Sequence, residues 1–148
     1  GGNEEDIKYW QQISKQKNLI FHGYFPKSEI PSIIQCFDIL VAPFQKIIFA
    51  AGKKIDIGRW TSPLKIFEYM ASKKPIVSSN IITVQEILTN NKDALLINPD
   101  DIELWVEKIY KLINDDKLKA HLSKNAYDLF IRNYTWTSRV KNIFSNIN

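Results

Sequence analysis

Short, continuously apolar runs alternate along this chain with stretches in which apolar residues recur every third or fourth position. Ile7, Trp10 and Ile13 recur at helical spacing between Glu4 and about Lys15. Leu19–His22 is a brief apolar run of strand type, and Ser28 is placed to cap a helix carrying Ile30, Ile33, Ile34 and Phe37. Asp38–Ala42 reads as a buried strand stopped by Pro43, and residues 44–61 form a long connection containing Gly52, Gly58 and the pair Lys53-Lys54. A connection of that length inside a compact domain is more often functional than idle.

The second half is easier to divide. Ser62 and Pro63 suit the cap and first position of a helix that places Leu64, Phe67 and Met70/Ala71 on one side. Pro75–Ser78 is a strand, Thr83 and Glu86 form a T-x-x-E capping box on a helix to about Leu88, and Ala94–Ile97 is the last strand. Asp100 and Glu103 mark another helix start, after which Ile102, Trp105, Val106, Ile109 and Leu112/Ile113 give an amphipathic helix. Leu118, Leu122, Ala126 and Leu129 give the next, and Trp136, Val140, Ile143/Phe144 and Ile147 the last. Short apolar strands separated by helices imply an α/β, Rossmann-like parallel sheet of about four strands, covered on both faces.

The chemistry concentrates on the helix opened by Ser62. Its free backbone amides, including those of Leu64 and Lys65, make a natural seat for a phosphate. Glu68 lies one turn further in, where a carboxylate accepts hydrogen bonds from sugar hydroxyls. That combination suggests a nucleotide-sugar site.

The string Ser62-Pro63-Leu64-Lys65-Ile66-Phe67-Glu68-Tyr69-Met70-Ala71, continued by Ser72-Lys73-Lys74-Pro75-Ile76-Val77-Ser78-Ser79-Asn80, resembles the donor-binding segment of retaining GT-B-fold glycosyltransferases of family four (glycosyl transferases group 1). In that family a glutamate, seven residues and a second glutamate precede such a helix and strand. Glu68 falls on the second glutamate, which the resemblance assigns to the donor ribose, while Trp60 stands at the sugar-contacting first one. Asn18–Tyr24, Phe37–Pro43, Asp93–Pro99 and Tyr134–Thr137 resemble further family segments in the family's order. The first implies a turn around the nucleotide base, with Gly23, Tyr24, Phe25 and Lys27 as its residues.

Composition narrows the alternatives. One domain's worth of chain, 148 residues, carries a net charge of only +4, with lysines scattered among acids, so no nucleic-acid footprint is visible. The single cysteine, Cys36, sits on an apolar stretch and reads as core, and one cysteine without an internal partner fits a reducing cytosol. His22 reads as a satisfied core histidine and His121 as solvent-facing; two histidines and one cysteine far apart disfavour zinc. No Walker loop, G-x-G-x-x-G string or serine nucleophile elbow appears, nor any apolar run of membrane-spanning length or signal peptide.

The resemblance therefore implies a partial C-terminal, nucleotide-sugar-binding domain over residues 1–148, with 131–148 as its closing turn and helix. It implies transfer of a sugar from a nucleotide-diphosphate sugar to an acceptor hydroxyl with retention, without a cofactor or metal, in bacterial polysaccharide or lipopolysaccharide assembly. The acceptor, a glycan or lipid-linked sugar, would be met by an N-terminal domain that this sequence does not contain. The expected location is cytoplasmic, or peripheral at the inner face of the membrane. Gly1-Gly2 reads as the end of a strand-to-helix turn whose strand is absent, or as a scar, so a truncated piece lacking the fold's first strands is expected. A nucleotide-sugar epimerase of the same fold and a non-catalytic binding module are the other readings. Glu86 reads as a capping side chain first and a donor contact second.

Overall fold

The computed structural model describes residues 4–47, 56, 58 and 62–145, which fall into two units, residues 4–33 and 34–145. The first unit holds helix α1 (Glu4–Ile13) and an extended stretch leading to helix α2 (Ile30–Gln35), which straddles the boundary. Acidic Glu4, Glu5 and Asp6 occupy the first turn of α1, where they complement the helix dipole. Leu19–His22 is not a strand: these residues enter no ladder among the described residues, and Ile20 is 70% exposed. An apolar run becomes a strand only where a neighbour pairs its amides and carbonyls. Ser28 does not cap α2 either, because the Ile33 N–H bonds the carbonyl of Glu29 at 3.1 Å and puts the boundary one residue later.

The second unit is built on β1 (Leu40–Ala42), α3 (Leu64–Ala71), β2 (Ile76–Ser79), α4 (Ile82–Gln85), β3 (Leu95–Ile97), α5 (Ile102–Asn114), α6 (Asp116–Asn133) and α7 (Trp136–Ser145). All pairing is parallel, in the order β1-β2-β3, with Val77 opposite both Val41 and Leu95. Among the described residues the sheet thus has three strands where the sequence implied about four. Side chains alternate between its faces. Ala42, Ile76 and Leu96 join Ile66, Met70, Val84, Leu88 and Ala126 in one cluster, while Val77, Leu95 and Ile97 pack with Trp105, Leu112 and Leu122 on the other. Both faces are covered, as a parallel sheet requires.

Several boundaries shift for local reasons. In α3 the buried pair is Ile66 and Met70, one turn apart, with Phe67 beside them, whereas Leu64 is 70% exposed on the opposite side. The T-x-x-E box does not form. Ile81 occupies the cap position of α4, Thr83 is buried in its first turn, and Glu86 terminates this single-turn helix. The cap of α5 is Asp101, not Asp100: its carboxylate accepts the Leu104 N–H at 3.0 Å. Asp115 does the same for α6 through Leu118 at 2.9 Å. Cys36 is exposed, because it follows the last turn of α2, where Ile34 alone points inward. His22 is exposed as well, on the unpaired stretch, its ring 6.0 Å from that of Phe25.

Candidate functional site

In a parallel sheet each crossover helix starts at the carboxyl edge of the strand before it. The starts of α3, α4 and α5 therefore share one edge with the ends of β1, β2 and β3. Open α/β sheets bind ligands at that edge.

The chain turns sharply into α3. Pro63 is the cap residue, and the Leu64 N–H donates to the Ser62 carbonyl at 2.9 Å, closing a tight turn. The Ser62 hydroxyl makes no capping bond, since proline at the cap pushes serine outside the helix. The Leu64 amide is thus spoken for, and the Ile66 N–H bonds the Pro63 carbonyl at 2.8 Å. The Lys65 amide remains the first-turn N–H for an anion, with the exposed Lys65 side chain beside it. Glu68 is exposed one turn on and raises the hydroxyl pKa of neighbouring Tyr69, adding to the larger effect of burial. Ser62, Leu64, Lys65 and Glu68 are thereby brought together on one exposed helix start.

Gly23 sits in the first unit at φ +75°, a backbone shape that glycine adopts without cost, followed by exposed Tyr24, half-buried Phe25 and exposed Lys27. Trp60 lies outside the described residues, as do Gly52 and the Lys53-Lys54 pair.

Sequence reasoning gave no role to a cleft of about 300 Å³ at the carboxyl ends of β1 and β2. Lys46, Asp56, Asn80, Thr83 and Gln85 line it together with apolar Ile82. Asn80 is the first residue past β2, and Gln85 Nε2 donates to Asn80 Oδ1 at 2.6 Å. The buried Ser78 and Ser79 hydroxyls fasten β2 to β1 and its loop, donating to the Ala42 and Phe44 carbonyls at 3.1 and 2.7 Å. Lys46 forms an ion pair with Asp100, joining the loop after β1 to the one after β3. The available signal was positional: a polar residue directly after a buried strand faces the ligand edge.

Among the described residues no group of three or more His, Cys, Asp or Glu is placed to hold a metal, and no helix is long and apolar enough to cross a membrane. His121 is exposed on α6, its Nε2 3.1 Å from Asn125 Nδ2.

Residues 1–129 match the family model described as "Glycosyl transferases group 1". The chain is 26% identical over 141 residues to an Escherichia coli UDP-Gal:alpha-D-GlcNAc-diphosphoundecaprenol alpha-1,3-galactosyltransferase, covering 93% of this chain and 32% of that protein. It is 30% identical over 105 residues to a Campylobacter jejuni N,N'-diacetylbacillosaminyl-diphospho-undecaprenol alpha-1,3-N-acetylgalactosaminyltransferase, covering 71% and 24% respectively. Among solved structures, the C-terminal domain of a glycosyl transferase group 1 family protein (LpcC) from Francisella tularensis superposes with a TM-score of 0.67 at 25% identity. That match covers 90% of this chain and 62% of the other. The chain thus spans a third or less of the two curated relatives.

Proposed function

The chain belongs to the glycosyl transferases group 1, and on that premise we propose that it is the donor-holding part of a retaining glycosyltransferase of bacterial surface-polysaccharide assembly. The reaction moves a sugar from a nucleoside-diphosphate sugar to a hydroxyl of a glycan or lipid-linked acceptor on the cytoplasmic side of the membrane. The two named relatives act on undecaprenyl-diphosphate-linked sugars, which supports an acceptor of that class.

The observation that carries the reading is the start of α3 at the ligand edge of the sheet, with the Lys65 amide and side chain at its first turn and Glu68 one turn in. As the donor bond breaks, negative charge grows on the leaving diphosphate. Amide dipoles and a cation held in place stabilise that charge without reorganising. Lys65 supplies both, Glu68 takes the ribose hydroxyls, and Ser62 with Leu64 forms the turn that sets the amide's direction. For the base, the family resemblance supplies Gly23, Tyr24, Phe25 and Lys27.

Replacing Glu68 with glutamine tests the ribose contact. Hydrogen bonds to a charged group contribute about 1.5–3 kcal/mol, so Glu68→Gln should weaken uridine diphosphate binding roughly tenfold or more by ligand-observed NMR. The thermal midpoint should hardly move, because Glu68 is exposed. Unchanged affinity contradicts the assignment.

A further inference from the structure

We propose that the cleft at the ends of β1 and β2 receives the sugar ring of the donor, and that Asn80, positioned by Gln85, reads its hydroxyls. The inference rests on the reading of α3 as the phosphate and ribose seat. It adds a sugar-reading element to a chain whose sequence carries Trp60 in place of the family's first glutamate.

Three observations lead to it. The first is size. At about 300 Å³ the cleft lies at the lower end of the range for ligand pockets, roughly 300–1,000 Å³, room for one pyranose rather than a whole nucleotide sugar. The second is position. Asp56 and Gly58, which line the cleft, belong to the connection that runs into α3. The cleft thus opens at the carboxyl edge of the sheet from which α3 starts, the edge at which Lys65 stands.

The third observation is chemical. Among the described residues, the charged side chains lining the cleft are already engaged: Lys46 with Asp100, and Asp56 with the Gly58 N–H at 2.8 Å. The recognising groups are then neutral amides, which suit hydroxyls better than phosphate. The bond between Gln85 and Asn80 uses one donor of one amide and the oxygen of the other. An NH2 on Asn80 and a carbonyl oxygen on Gln85 are left side by side, a donor and an acceptor, the set that two neighbouring sugar hydroxyls satisfy. Apolar Ile82, 51% exposed at the same cleft, offers a surface to the C–H face of the ring. Gln85 acts mainly through Asn80: held from one side, the Asn80 amide presents a fixed hydrogen-bonding pattern instead of rotating freely.

The test compares uridine diphosphate with UDP-glucose and UDP-galactose, titrated into the chain and into its Asn80→Ala, Gln85→Ala and Gln85→Glu variants by ligand-observed NMR. Asn80→Ala should weaken the better-bound nucleotide sugar at least fivefold and leave uridine diphosphate unchanged. Gln85→Ala should give a smaller loss, again confined to the sugar-bearing ligands. In Gln85→Glu the introduced carboxylate accepts from Asn80 and turns its amide over, so the preference between the two epimers should change; a merely structural role would move neither ratio. Equal effects on all three ligands, or none on any, overturn the proposal while leaving the α3 seat standing. Failure of uridine diphosphate itself to bind the parent chain overturns the seat, and the proposal with it.

Discussion

The ring of Tyr134, at the end of α6, lies 5.0 Å from the ring of Phe67 in α3, with the planes inclined at 51°. This contact ties the aromatic turn near the chain's end to the residue just before Glu68. Phe67 and Tyr134 also pack against the core cluster that contains Ile66 and Met70. The orientation of the helix bearing the proposed phosphate and ribose contacts thus depends on a residue far away in sequence. Tyr134→Ala should cost about 2–4 kcal/mol, combining lost burial with an aromatic pairing worth about 0.5–1.5 kcal/mol. Tyr134→Phe should keep most of that stability. Urea unfolding separates the two, and a harmless alanine variant would show that α3 is held without this ring.

Helix capping divides the serine from the aspartates. Asp101 and Asp115 each accept an N–H three residues on, whereas the Ser62 hydroxyl caps nothing. Asp101→Ala and Asp115→Ala should each lower stability by about 1 kcal/mol, within the range of about 0.5–2 kcal/mol measured for such caps. Ser62→Ala should lie within about 0.5 kcal/mol of the parent, as exposed substitutions do. Thermal midpoints in the reverse order would contradict the assigned cap geometry.

Alkaline pH should expose two tyrosines. Burial first, and then the charge of Glu68, raises the Tyr69 hydroxyl above its ordinary value of 10.0. Burial and then Asp93 raise that of Tyr134. The folded protein therefore keeps protons that the unfolded chain releases. Their contribution is complete below pH 10 and is lost as pH climbs through the raised folded values. Tyr69→Phe and Tyr134→Phe should each flatten the fall in urea midpoint between about pH 9 and 11. Identical slopes in parent and variants would refute the shifts.

The sheet and its helices were legible because β1 and β3 are uninterrupted apolar runs, β2 opens on the apolar pair Ile76-Val77, and α5 repeats its apolar residues at helical spacing. What local pattern failed to give depended on partners distant in sequence. Leu19–His22 has the composition of a strand, but pairing is not a property of composition. The helical spacing reads with Leu64 on the inner side of α3, whereas the placement of α3 against β1 and α6 buries Ile66 and leaves Leu64 exposed. Ser62 and Thr83 are typical capping residues, displaced from that role by Pro63 and by an early entry into α4. Of the proposed site, Glu68 and Lys65 were candidates from their string alone, while the Asn80–Gln85 pair became a candidate only once the carboxyl edge was assembled.

Amide shifts of the chain, mapped during titration with uridine and guanosine diphosphates, show whether the start of α3 seats the donor's diphosphate and ribose as proposed. A solvent-exposed helix end contributes only about 0.3–1 kcal/mol to anion binding, against the roughly 8 kcal/mol that micromolar affinity needs. Dissociation constants should be weaker than about 1 mM, equivalent to roughly 4 kcal/mol, with the largest shifts at Lys65 and Glu68. Micromolar affinity, or shifts confined to residues away from α3, would contradict the proposed seat.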